Sequence, residues 1–100
     1  MNQLQLIASI AERDVLRYTP AGIPIVSAIL LHRSDQVEAG IQRQVEFEIA
    51  AIAAGEISGT LDRAALGETL RFTGFLARKN RNSKSLVFHL TGIEALTPDL

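Results

Sequence analysis

The chain has 100 residues, 47% hydrophobic and 21% charged, with ten Lys+Arg against eleven Asp+Glu. That is the length of one domain with one core, and the apolar fraction is too high for a disordered chain. No apolar run approaches the roughly 18–20 residues of a membrane-spanning helix, Met1-Asn2-Gln3 lacks the basic start of a secretory signal, and zero cysteines exclude disulfides, Cys-based zinc sites and thiol chemistry.

Leu4, Leu6, Ala8 and Ile10 alternate with Gln3, Gln5, Ile7 and Ser9, and period two predicts a first strand with one buried face. Glu12-Arg13-Asp14 interrupts it, and Val15–Tyr18 extends or re-aims it. Thr19-Pro20-Ala21-Gly22 is a turn signal. Ile23–Leu31 is nearly all apolar and rich in β-branched residues, which predicts a second strand buried on much of both faces. Ser34–Gly40 is polar, ends in glycine and reads as a loop. Gln42–Ile52 is a third strand, with Val45, Phe47 and Ile49 on one face and Gln44, Glu46 and Glu48 on the other.

Gly55–Gly59 reads as a flexible connection, and Leu61–Leu66 as a short helix with Thr60 as N-cap and Gly67 as C-cap. Leu70, Phe72, Gly74 and Leu76 alternate with Arg71, Thr73, Phe75 and Ala77 in a fourth strand, where Gly74 marks a bend or a close backbone approach. Arg78–Lys84 is a basic loop, and Leu86, Phe88 and Leu90 mark a fifth strand. The tail after Ile93, which contains Pro98, is expected to fray. A small sandwich would show the same periodicities. The helix between strands 3 and 4 and the glycine in the fourth strand favour an all-β, five-stranded OB-fold barrel, with residues 1–100 as a single OB-fold domain.

A net charge of −1 argues at first against nucleic acid, whose binders are usually basic. The average conceals a segregation. Residues 1–68 carry five basic and nine acidic side chains (−4), residues 69–93 five basic and no acidic ones (+5), and residues 94–100 two acids (−2). Four of the five cations fall within Arg78–Lys84. Such a run is either a solvated loop or a phosphate-contacting one. In an OB-fold, this loop and the one between the first two strands frame the ligand groove. Arg17 precedes the first of these loops, Arg33 closes the second strand, and Arg71 lies on the outward face of the fourth. Arg17, Arg33, Arg71, Arg78, Lys79, Arg81 and Lys84 are therefore the candidate cations of one groove for single-stranded DNA. Phe75 and Tyr18 are the candidate stacking platforms, with Phe75 equally suited to fill a subunit interface, whereas Phe47, Phe72 and Phe88 fall on core faces.

Chemistry of other kinds is not indicated. His32 and His89 have no cysteine partners, while zinc wants three or four ligands, so no metal or cofactor is expected. The Gly55–Gly59 stretch lacks the Lys-Ser/Thr of a phosphate loop, and Glu46 with Glu48 matches any solvated strand face. No catalytic residues are assigned.

Gly22-Ile23-Pro24, His32-Arg33-Ser34, Glu38-Ala39-Gly40, Arg43-Gln44, Gly74-Phe75 and the late His89 with Ile93-Glu94 resemble, in order and spacing, the primosomal replication protein N (PriB) family. The resemblance covers essentially the whole chain. It implies a homodimeric OB-fold related to single-stranded DNA-binding proteins. The implied role is that of a cytoplasmic, non-enzymatic replication-restart accessory that binds single-stranded DNA and the PriA helicase, and in some bacteria hands over to DnaT. It places DNA contacts at Arg17, Arg33, Arg78, Lys79, Arg81 and Lys84. Where the family can carry an exposed Trp in the third strand this chain has Glu46, and an aromatic after the second strand is Ile41 here. A carboxylate in place of a stacking ring implies weaker DNA binding, and leaves open the alternative of an adaptor that binds proteins and little DNA.

Overall fold

Alternation decides which side of each strand turns inward, and here it closes a barrel. The computed structural model describes residues 1–96. The elements are β1 (Leu4–Arg13), β2 (Arg17–Tyr18), β3 (Pro24–Glu38), β4 (Ile41–Ala54), α1 (Glu56–Arg63), β5 (Thr69–Arg78) and β6 (Leu86–Ala95). The five long strands form a ring: β1 pairs with β3 and β5, β5 with β6, β6 with β4, and β4 with β3. All pairings are antiparallel except β4–β6, a parallel seam of two residue pairs, Ala51 with Phe88 and Ile52 with His89. The two-residue β2 adds to the outside of β3. This is the expected five-stranded OB-fold, whose closure removes long open sheet edges.

The inward positions make one core. Leu6, Ala8 and Ile10 from β1, Val26, Ala28 and Leu30 from β3, Ala51 and Ala53 from β4, Leu70 and Phe72 from β5, and Phe88 and Leu90 from β6 are all buried. Four alanines beside two phenylalanines are the small-and-large alternation that a narrow barrel needs. One bulge bends β1: Ile10 pairs with Leu30 and Glu12 with Ile29, so Ala11 is left over. The bend lets the first half of β1 pair with β5 and the second half with β3.

The helix lies earlier than the composition predicts. It runs Glu56–Arg63 behind an N-cap at Gly55, so the expected connection Gly55–Gly59 is mostly helix, and neither Thr60 nor Gly67 is its cap residue. Burial of Ser58 and Leu61 against the barrel outweighs the unfavourable Gly59. Ser58 Oγ donates to the Gly55 carbonyl at 2.5 Å, which satisfies the one buried polar side chain among the described residues. At the other end the Arg13 guanidinium donates to the carbonyls of Ala64 and Leu61. A cation there satisfies orphan helix carbonyls and opposes the negative end of the helix dipole.

The expected loop Ser34–Gly40 is also structured. β3 and β4 stay paired from Ile25–Ala54 out to Glu38–Ile41, joined by a two-residue turn at Ala39 (φ 53°) and Gly40 (φ 76°). Two left-handed residues match the twist of a tight hairpin. The outer half of this hairpin projects past the barrel as an arm. The radius of gyration, 14.6 Å, exceeds the roughly 13 Å of a compact 100-residue domain. The arm also corrects the placing of Phe47 in the core. Phe47 does lie on the inward side of β4, but beyond the barrel's end, where it is 39% exposed and packs on the His32 ring at 5.0 Å. Phe72 and Phe88 are buried as expected. At the C-terminal end β6 continues to Ala95, past the point where fraying was expected, and Pro98 lies outside the described residues.

Candidate nucleic-acid interface

The outer faces of β3, β4 and β6 form the floor of a groove of about 570 Å³. Its base carries Ser27 and Ile29 from β3, Ala50 and Ile52 from β4, and Val87 and His89 from β6. One wall is the end of β1, Glu12–Asp14, together with Arg17 of β2. The opposite wall is Lys79, Ser85 and Leu86, at the root of the β5–β6 loop. The groove thus has a mostly apolar floor with Arg13 and Arg17 on one side and Lys79 on the other, suited to flat apolar bases below and phosphates at the rims.

Both cationic walls are held in place. Arg17 Nη1 donates to Ser27 Oγ at 3.2 Å, which steadies the guanidinium against β3. The basic loop is a closed turn: the Lys79 amide donates to the Ser85 carbonyl (2.9 Å), Asn82 N–H to Asn80 Oδ1 (2.9 Å) and Ser85 N–H to Ser83 Oγ (3.0 Å). Arg78, Lys79, Arg81 and Lys84 are exposed on it. The sequence-predicted cations therefore divide. Arg17 and Lys79 line the groove, while Arg78, Arg81 and Lys84 surround its Lys79 rim in sequence.

Arg33 sits elsewhere, on the outer face of the arm, in a smaller hollow of about 270 Å³ with Ser34, Asp35, Gln44, Val45 and Glu46. Its Nε lies 3.4 Å from Glu46 Oε2. Arg71 is half-buried on β5, in register with Ile7 of β1 and Glu94 of β6. Phe75 lies on β5, 41% exposed, with its ring parallel to His89 at a centroid distance of 5.0 Å. Tyr18 is exposed on β2 and lines neither hollow.

Of the groove residues, only Arg17 and Lys79 are singled out by sequence; among the others are Glu12, Asp14, Ile52 and His89. The signal available was apolar character on the outer face of β3 and β4. Ile29 and Ile52 occupy positions that a strand facing water would make polar. The two carboxylates matter electrostatically. Among the described residues the ion pairs are Arg33–Glu46 and Arg43–Glu38, so neither Glu12 nor Asp14 is neutralised by a salt bridge.

Residues 2–92 match the family model described as another single-strand binding protein family. The replication restart protein PriB of Nitrosomonas europaea is 45% identical over 89 residues, covering 89% of this chain and 82% of that protein. The solved structure of PriB from Ralstonia solanacearum superposes with a TM-score of 0.87 at 50% identity, covering 95% of this chain and 97% of that one. The chain belongs to the PriB family. The single-stranded DNA binding protein from Thermus aquaticus shares the fold at 21% identity, with a TM-score of 0.76 over 97% of this chain and 50% of that one. The single-strand binding family match over residues 2–92 takes in β1 to β5, most of β6, both groove walls and the whole basic loop.

Proposed function

We propose that this PriB-family chain binds single-stranded DNA along the groove between Arg17 and Lys79 and acts as a cytoplasmic, non-catalytic accessory of replication restart that stimulates the PriA helicase at stalled forks. The observation that carries the reading is the mostly apolar floor bounded on opposite sides by Arg17 and by Lys79 with its basic loop. Arg33, Arg71 and Phe75 extend the binding surface beyond the groove. Transfer to a DnaT-type partner belongs to the same reading in bacteria that have one. A homodimer fits the pairing of β1. From Leu4 to Ile7 this strand pairs with β5, and its ladder with β3 starts only at Ser9. The edge left beside Ile7 is open to a second copy.

The test is fluorescence anisotropy with labelled oligothymidylate at two salt concentrations, with and without PriA. The expected result is binding at 50 mM salt that weakens steeply, with a slope set by about four to six phosphate contacts. No anisotropy change at 50 mM salt overturns the reading. Light scattering that gives the monomer mass at micromolar concentration overturns the dimer.

A second reading, an adaptor that binds protein and little DNA, is favoured by Glu12 and Asp14 inside the groove and by the neutralisation of Arg33 by Glu46. It requires helicase stimulation to survive the loss of oligonucleotide binding.

A further inference from the structure

We infer that His89 is the base-stacking residue of the groove, held edge-on by Phe75 so that one nucleobase slots against the imidazole above Ile52. The inference rests on the groove being the single-stranded DNA site. Four observations lead to it.

The Phe75 and His89 rings are within 3° of parallel, with centroids 5.0 Å apart. That separation is close to the roughly 4.8 Å spacing of neighbouring strands. Phe75 and His89 are direct register partners on β5 and β6. The rings therefore stand side by side on the sheet rather than lie flat on it.

The sheet order is β5, β6, β4, which puts Phe75 on one side of His89 and Ile52, its register partner on β4, on the other. His89 and Ile52 line the groove, and Phe75 does not. Phe75 thus covers one face of the imidazole, and His89 is presented to the groove beside Ile52.

His89 is the one ring among the groove-lining residues. Base stacking in this groove therefore falls to the imidazole.

Gly74 fixes the stack. A Cβ at Gly74 would lie 1.9 Å from the His89 carbonyl oxygen, so only glycine lets β5 approach this closely. The approach coincides with a bulge, where Thr73 pairs with Gly92 and Gly74 with Leu90. Ring alignment is thereby built into the backbone and needs no ordering when a base arrives.

The chain contains no tryptophan, which gives a direct test. Binding of oligothymidylate and of the same oligomer with a central run of abasic sites is measured for the parent chain and for His89→Ala, His89→Phe and His89→Trp. His89→Ala should lose about tenfold for oligothymidylate, the lower part of the range for one base–aromatic stack, and nothing for the abasic oligomer. His89→Phe should bind like the parent. Fluorescence of the His89→Trp variant should be quenched by oligothymidylate and not by the abasic oligomer. Equal loss of both oligomers on His89→Ala, or no quenching on binding, overturns the role of His89. Should His89→Ala fail to fold, the quenching experiment decides. A parent chain that binds neither oligomer overturns the DNA site itself, a different outcome from a parent that binds and an alanine variant that binds equally well.

Discussion

Arg33 and Glu46 face each other across the β3–β4 arm as register partners, with Nε 3.4 Å from Oε2 and both side chains well exposed. The pair contributes little to stability, since exposed ion pairs are typically worth about 0–1 kcal/mol. Its effect is on the field of the arm, where a cation that would meet phosphate is already met by a carboxylate. Replacement Glu46→Gln should leave the melting temperature nearly unchanged, tighten single-stranded DNA about two- to fivefold, and steepen the salt slope by about 0.7. Anisotropy titrations at three salt concentrations check both numbers.

Inside the groove, Glu12 and Asp14 oppose Arg17 and Lys79. The double variant Glu12→Gln with Asp14→Asn should bind oligothymidylate about three- to tenfold more tightly at 50 mM salt. That gain should shrink as salt screens it, because the Debye length falls from about 14 Å at 0.05 M toward 3 Å at 1 M. A gain that persists at high salt would mean a change of shape rather than of charge.

Neutralising Arg78, Lys79, Arg81 and Lys84 together to glutamine should lower the salt slope by about 0.7 for each phosphate that goes without its cation, up to four. Each site is exposed, so stability should stay within about 0.5 kcal/mol per substitution. Helicase assays on this variant separate the two functional readings: stimulation that disappears together with DNA binding supports the DNA-dependent role, and stimulation retained supports the adaptor.

Gly74→Ala should destabilise the fold by about 1–3 kcal/mol or more, because the added methyl meets backbone that cannot turn away. For a domain of this size each kcal/mol lowers the melting temperature by about 4–8 °C. Thermal denaturation measures the loss, and ring-current shifts of the His89 protons report whether its stack on Phe75 survives.

The barrel was legible because its residues answer to period two. Leu6-Ala8-Ile10, Leu70-Phe72 and Phe88-Leu90 are core where alternation puts them. What alternation does not carry is the height at which the barrel ends. Phe47 shares the inward side of β4 with Ala51 and Ala53, yet no neighbour closes over it. The outer arm, Ser34–Glu38 against Ile41–Val45, is held by backbone pairing and carries polar residues on both faces, so composition reads part of it as a loop. The helix start was hidden by Gly59, whose low propensity is overridden by the burial of Ser58 and Leu61.

The groove was half legible for a related reason. Clustered charge on one short loop is a local property, and one of its cations, Lys79, lines the groove. Glu12, Ile52 and His89 meet only through strand pairings distant in sequence, and no local pattern marks them.

The ring of strands is stitched unevenly. β3 and β4 share fourteen residue pairs, whereas the parallel seam between β4 and β6 has two, Ala51 with Phe88 and Ile52 with His89. The seam runs beneath the groove floor, and its two rungs should be where the barrel first opens in native-state hydrogen exchange. A polynucleotide lying across Ile52 and His89 would clamp that joint from outside. Occupancy of the groove would then register as slower amide exchange at the seam, which couples the ligand to the cohesion of the whole cylinder.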